Sequence, residues 1–189
     1  MRYDPKGKSM AFVIIDVQRK YRMNHLDEDL EQGFRISRIN EISRMFRESD
    51  KPVIFVKYTG EGSLHRVYRG DDGDEFFEGI EVADSDIVME KHHMNAFRDT
   101  DLAELLRSKG CDSILLAGTV TEYCVLSTYF GAYDNDFSPF MASSATISSD
   151  DDNNRAVEQI TKVLTPNDIR NYLDGKPMVK DIPLHPDCQ

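Results

Sequence analysis

Residues 113–134 read SILLAGTVTEYCVLSTYFGAYD, and the order of residue types within them decides the fold. Ser113 to Gly118 form a short apolar run without polar alternation, the length of one strand covered on both faces. A Thr-Val-Thr link follows, and from 121 to 134 the apolar side chains recur at helical spacing. A buried strand that passes within a few residues into a helix is half of a crossover unit, the building block of a parallel sheet.

The same pattern recurs on both sides. Upstream lie AFVII before Asp16, PVIFVKY at 52–58 and DIVME at 86–90; downstream lies SPFMAS at 138–143. Between the runs, Ile36, Ile39, Ile42 and Phe46 follow helical spacing, and so do Leu102, Leu105 and Leu106. A further helix is expected over 152–163, with Ala156, Ile160 and Val163 sharing a face. Asp99 or Thr100 can cap the helix that ends at Gly110, and Ser149 with Asp150, Asp151 and Asp152 supplies acceptors and negative charge at a helix start. The expectation is an α/β domain over 1–174: three layers, α/β/α, around a doubly wound, mainly parallel sheet of Rossmann-like type. A Pro-containing tail over 175–189 follows, expected to pack on the surface or on a neighbouring subunit, and the polar loop from Thr59 to about Val82 is long enough to be functional.

Composition bounds the partners. The 189 residues suit one domain, and 23 basic against 34 acidic residues leave a net charge of −11. Nucleic acid and anionic membranes both need a basic field, so neither is an expected partner. The longest clean apolar run, Met10 to Ile15, falls short of a bilayer span and of a signal-peptide core, which makes the cytoplasm the expected location. Cys111, Cys124 and Cys188 are odd in number, widely spaced and without a CxxC, so each reads as a single thiol.

In a doubly wound sheet, ligands bind outside the carboxyl ends of the strands. Three polar residues follow apolar runs there: Asp16, Lys91 and Cys124. Cys124 falls in the first turn of its helix, with Thr121 as an expected cap, where backbone N–H groups lower a thiol pKa from about 8.5. Each residue alone has an ordinary reading: a cap, a surface charge, a small buried hydrophobe. Together, a carboxylate, an ammonium and a thiol are what activated-thiol acyl transfer requires.

Three segments, AFVIIDVQRKY at 11–21, MEKHHMNAF at 89–97 and LLAGTVTEYCVLSTYFGAYD at 115–134, resemble the signature segments of the isochorismatase-like cysteine hydrolase superfamily, in order and across roughly residues 10–165. The resemblance implies that Cys124 is the nucleophile, Asp16 the base that takes its proton, and Lys91 the charge that holds the pair ionised. It also implies a cis peptide bond at Thr119–Val120 and an oxyanion hole formed by the N–H groups of Val120 and Cys124. Gln18, Tyr21, Phe97 and Tyr123 would line the pocket, and the protein would be a homo-oligomer, a dimer or tetramer.

Nicotinamidases of this superfamily hold a metal through an Asp-x-His pair and a further His after the second strand. The corresponding stretch here, KYTGEGSLHRVYRG, has no Asp and only His65, so no metal and no other cofactor is expected. His92 and His93 are adjacent on an extended segment and point opposite ways. Many members carry Asp-Ala after the fifth strand and a His in the next helix, where this chain has Ser144-Ala145 and Asn153-Asn154. Arg66, Arg69, Tyr58 and Tyr68 lie in or beside the long loop, where they could meet a carboxylate or a ring of a substrate, with surface exposure the expected fate of each. Three functions stay open: a metal-independent cysteine amidohydrolase acting on a small amide, carbamoyl or ureido compound; an isochorismatase-type vinyl ether hydrolase using Asp16 as acid; and a small-molecule binding module in which Cys124 is merely packed.

Overall fold

Met10–Ile15 (β2) carries six apolar side chains in succession, and all six are buried. Their alternation divides them between two cores: Met10, Phe12 and Ile14 face one side of the sheet, and Ala11, Val13 and Ile15 face the other. The structure, a computed structural model, describes residues 2–3, 9–21, 28–60, 73–176 and 180–181.

Around β2 stand Val53–Tyr58 (β3), Ile87–Lys91 (β4), Ser113–Thr119 (β5), Ser138–Ile147 (β6) and Val163–Leu164 (β7), in the spatial order β4-β3-β2-β5-β6-β7. Every pairing in this sheet is parallel. The helices are Glu28–Glu48 (α1), Leu102–Ser108 (α2), Leu126–Asp134 (α3), Asp151–Ile160 (α4) and Pro166–Leu173 (α5). Ile39, Ile42 and Phe46 of α1 and Ile169 and Tyr172 of α5 pack with Phe12, Ile14 and Phe55 on one face. Leu102 and Leu106 of α2, Tyr129 of α3 and Val157 of α4 pack with Val13, Ile54 and Val56 on the other. Each such side chain, fully withdrawn from water, contributes about 1.5–3 kcal/mol. The three-layer, doubly wound fold expected from the sequence is the fold observed.

Several local expectations are corrected. The helix expected over 152–163 ends at Ile160, and its buried face is Asn154 and Val157; Ile160 is 65% exposed. Val163 belongs to β7, since Thr161 takes extended backbone and stops the helix. Asp150, rather than Ser149, caps α4 by accepting from the Asp152 N–H. At α2, Asp101 holds the cap position without a side-chain bond, and Thr100 Oγ1 accepts from the Leu102 N–H at 3.3 Å. β4 is an edge strand whose burial alternates, with Val88 half exposed, so it is not covered on both faces. Tyr58 is buried at the end of β3, not on the surface. Arg66, Tyr68, Arg69, His65 and Cys188 lie outside the described residues. Of the tail, Lys180–Asp181 (β8) pairs antiparallel with Arg2–Tyr3 (β1) of the same chain.

Gly118 sets how closely the two central strands meet. Its φ is +114°, and a Cβ there would stand 2.0 Å from the Ile15 carbonyl oxygen, so only glycine permits the approach. Just beyond this contact, the chain leaves β2 at Asp16 and leaves β5 at Val120.

Candidate active site

Asp16 is the first residue past β2, with φ 51°, in the left-handed region that few residues other than glycine adopt. Its N–H donates to the Val56 carbonyl at 2.8 Å, and its own carbonyl accepts from the Gln18 N–H at 2.7 Å. The turn thus directs the carboxylate across the strand ends. Lys91, the last residue of β4, is wholly buried, and its Nζ lies 2.7 Å from Asp16 Oδ2. The same ammonium donates to the carbonyls of His93 at 2.9 Å and Met94 at 3.1 Å. Apart from Lys91 and the Cys124 thiol, no described group donates to the Asp16 carboxylate.

Cys124 lies in a π-helical turn, Thr121–Val125, that leads from β5 into α3. The turn is fastened from three sides. Thr121 Oγ1 donates to Asn154 Oδ1 at 2.6 Å, so Thr121 ties the turn to α4 and is not its cap. Asn153 Nδ2 donates to Glu122 Oε1 at 3.0 Å. Thr128 Oγ1 donates to the Cys124 carbonyl and accepts from the Ala96 N–H, which joins the segments that follow β5 and β4. The asparagines that replace the expected histidine therefore orient the cysteine turn. The Thr119–Val120 peptide bond is cis.

The charge balance differs from the expectation of a depressed thiol. Burial, and then the Asp16 carboxylate beside it, push the Cys124 thiol up to about 12, with Lys91 opposing. Burial also raises Asp16 above the usual carboxylate range, again with Lys91 opposing most strongly. The physical reason is burial and like charge: Asp16 and Cys124 lie side by side in the interior and share Lys91 as their adjacent ammonium, while Lys20 is paired with Asp74, so ionising one disfavours ionising the other. The helix start that was expected to favour a thiolate is outweighed by desolvation and by the adjacent carboxylate.

The other expected pocket residues divide. Tyr21 is buried and stands edge-on to Tyr58; burial first, and then the neighbouring Asp16 and Cys124, push its hydroxyl well above the usual phenol range. Gln18 spends its amide on Tyr58 and Asp74: Oε1 accepts from the Tyr58 N–H at 2.7 Å, and Nε2 donates to the Tyr58 carbonyl at 3.2 Å and to the carbonyl and carboxylate of Asp74 at 3.4 Å. Phe97 stacks on Phe137 within the second core, with ring centroids 5.6 Å apart. Tyr123 is exposed beside the cysteine. His92 and His93 go to separate partners, Thr59 and Asp99, and no group of three His, Cys, Asp or Glu among the described residues could hold a metal ion.

Two residues at the site escaped the sequence reading. Lys20 is buried, donates from Nζ to the Tyr58 carbonyl and to Asp74, and acts on Asp16 through its charge. Tyr58 presents its ring to both ammonium groups, Lys91 at 5.1 Å and Lys20 at 5.3 Å from the centroid. Lys20 lies in a 3-10 turn, Arg19–Tyr21, and Tyr58 at a strand end; neither position shows in the sequence that the side chain is buried at the site, because only the fold brings them together.

A parallel sheet thus gathers a carboxylate, an ammonium and a thiol at three strand ends, a doubly wound α/β class whose ligands bind at that edge. The comparisons identify the family. The isochorismatase domain family matches residues 10–166, and the chain belongs to that family, within the isochorismatase-like hydrolase superfamily. A secreted isochorismatase effector of Verticillium dahliae is 28% identical over 118 residues, which make up 62% of this chain and 62% of the effector. An isochorismatase family protein of Burkholderia thailandensis shares 27% identity at a TM-score of 0.72, covering 88% of this chain and 96% of that one. The N-carbamoylsarcosine amidase of Thermoplasma acidophilum shares the fold at a TM-score of 0.68, with 23% identity over 82% of this chain and 94% of its own.

Proposed function

We propose that this protein is a cysteine hydrolase that cleaves the C–N bond of a small amide, carbamoyl or ureido substrate through a thioester. The observation that carries the reading is the buried convergence of Asp16, Lys91 and Cys124 at three strand ends, with Lys91 Nζ 2.7 Å from Asp16 Oδ2. Kinship with amidase-bearing members of the fold supports it.

The charge count dictates the sequence of steps. At rest the ammonium balances the Asp16 carboxylate, and the thiol keeps its proton. As sulfur attacks the substrate carbonyl carbon, its proton passes to Asp16, so one anion replaces another beside the same cation. The charge that develops on the carbonyl oxygen is met by the N–H groups of Val120 and Cys124, each worth about 3 kcal/mol of barrier. Protonated Asp16 delivers its proton to the leaving nitrogen, the C–N bond breaks, and ammonia or an amine departs. Asp16 then takes a proton from water as that water attacks the thioester carbon; the acid leaves and the proton returns to sulfur. Such a device keeps the thiol protonated until a carbonyl occupies the site.

A second reading rests on one observation: burial raises Asp16 above the usual carboxylate range, which favours a carboxylic acid able to protonate a vinyl ether. Cys124 would then be dispensable. An ammonia-release screen over small amides, ureas and carbamoyl amino acids, run on the wild type and on Cys124→Ala, separates the two. Release by the wild type alone supports the thioester route. Vinyl ether hydrolysis that survives in Cys124→Ala, without ammonia release from any compound, would overturn it.

A further inference from the structure

Lys20 is an ammonium with 7% of its side chain exposed, and the steps above give it no role. Its ion partner, Asp74, is 57% exposed at the rim, among neighbours Gly73 and Glu75 that are also exposed. The pair is therefore lopsided: the cation belongs to the interior and its counter-ion to the solvent boundary. Lys20 Nζ also lies over the rings of Tyr21, 5.6 Å from its centroid, and Tyr58, and Tyr58 is the ring that Lys91 Nζ contacts from its own position. One aromatic ring separates the cation that supports the chemistry from a second cation with no chemistry to support.

The local charge count gives the second cation a meaning. Lys91 and Asp16 neutralise each other, and the thiol is neutral, so the buried set has one positive charge in excess, on Lys20, inside a protein whose net charge is −11. A surface carboxylate that meets a buried ammonium can be replaced at modest cost, because Asp74 regains its hydration on release while Lys20, and Gln18 Nε2, which donates to the same Asp74 oxygen at 3.4 Å, keep an anionic partner. We infer that Lys20 is a specificity-determining residue that binds the carboxylate of a monoanionic substrate in exchange for Asp74. The inference rests on the hydrolase reading above and names its substrate class: short amido or carbamoyl acids, with the scissile carbonyl a few bonds from a carboxylate. One exchangeable counter-ion matches one negative charge. A phosphate or a dicarboxylate would bring a second charge that this site does not balance.

The test compares two alkylating agents of nearly the same shape at Cys124, iodoacetate and iodoacetamide, with labelling read by peptide mapping. Their rate ratio cancels the nucleophilicity of the thiol and leaves the preference of the site for an anion. Cys111 is the internal control, since it stands before β5 at the opposite end of the sheet. Lys20→Met is expected to lower the iodoacetate-to-iodoacetamide ratio at Cys124 about tenfold and leave the Cys111 ratio unchanged. Asp74→Asn, a change at an exposed side chain, is expected to raise the Cys124 ratio several-fold. A ratio in Lys20→Met within twofold of the wild type, or an Asp74→Asn ratio that stays level or falls, would overturn the inference and leave Lys20 as a tie between Tyr58 and the rim. Should Lys20→Met fail to fold, Asp74→Asn decides alone. A parallel hydrolysis assay with succinamate and its neutral counterpart butyramide keeps the two readings distinguishable. Turnover of neither compound, nor of any other amide, counts against the hydrolase reading, whereas turnover favouring butyramide equally in the wild type and Lys20→Met counts against Lys20.

Discussion

Lys91→Met tests the charge count that underlies the site. Lys91 and Asp16 have side-chain exposures of 0% and 1%, so methionine fills the lysine's space and leaves a carboxylate in the interior without its cation. Breaking such a pair costs about 3–5 kcal/mol. Two further hydrogen bonds go with it, those to the His93 and Met94 carbonyls, each worth about 1 kcal/mol. The loss is then about 5–7 kcal/mol, a large share of the 5–15 kcal/mol of an ordinary domain. The pH dependence has a definite sign. The pKa of Asp16 is already raised in the folded protein, so the folded state binds more protons than the unfolded one above the ordinary value of 3.8, and stability falls as pH rises through that window. Removing the strongest opposing influence, Lys91, extends the window upward. Urea melts at pH 5 and pH 8 of Lys91→Met, Asp16→Asn and the double variant measure this directly. Lys91→Met should lose more stability at pH 8 than at pH 5, and adding Asp16→Asn should restore about 3 kcal/mol at pH 8. A single variant that loses under about 1 kcal/mol, or a double variant no more stable than Lys91→Met, would refute the reasoning.

Asp16→Asn should keep its secondary structure, by circular dichroism, at a stability lowered because Lys91 loses its counter-ion, and reduce ammonia release by about a thousandfold or more, because an amide neither accepts nor returns a proton. Iodoacetamide labelling of Cys124 should climb about tenfold per pH unit through pH 9, since a thiol held near pKa 12 is still almost wholly protonated there; a plateau below pH 9 would contradict its pairing with Asp16. Gly118→Ala places a Cβ 2.0 Å from the Ile15 carbonyl at a φ of +114°, so it should cost more than about 4 kcal/mol or prevent folding, measured by soluble yield and a denaturant melt.

The fold was legible because its strands are continuous apolar runs and its switches to helical spacing are abrupt, as at Gly118 to Thr121. β7 and α5 were not, for different reasons. Val163–Leu164 is too short to show a period, and α5 announces itself only through Thr165, Pro166 and Asp168, whose capping box is plain once its geometry is seen. At the site, the positions of Asp16, Lys91 and Cys124 follow from strand ends, but their protonation does not. Helix-start reasoning concerns the backbone field alone, whereas the thiol's state depends on a carboxylate more than a hundred residues away in sequence and on 4% exposure. Gln18 and Phe97 show the same limit. Nothing in a sequence shows that the Gln18 amide clasps the Tyr58 backbone or that the Phe97 ring stacks on Phe137, contacts that only the fold creates.

The left-handed backbone at Asp16 restricts which acid evolution can place there. At φ 51° glycine, asparagine and aspartate are the residues most readily accepted, the last two because their short polar side chains can bond locally; four of the five non-glycine residues at positive φ among the described residues are aspartates. Glutamate has the same chemistry and nearly the same intrinsic acidity, but its longer side chain gains nothing from that conformation and would carry the carboxylate past Lys91. The bend in the chain therefore chooses the acid before proton affinity does. Among variants drawn at random at position 16, those that fold well should be dominated by Gly and Asn, neither of which can move a proton, and a lineage that drifts from Asp16 should arrive at an inert, well-folded protein rather than at a slower enzyme.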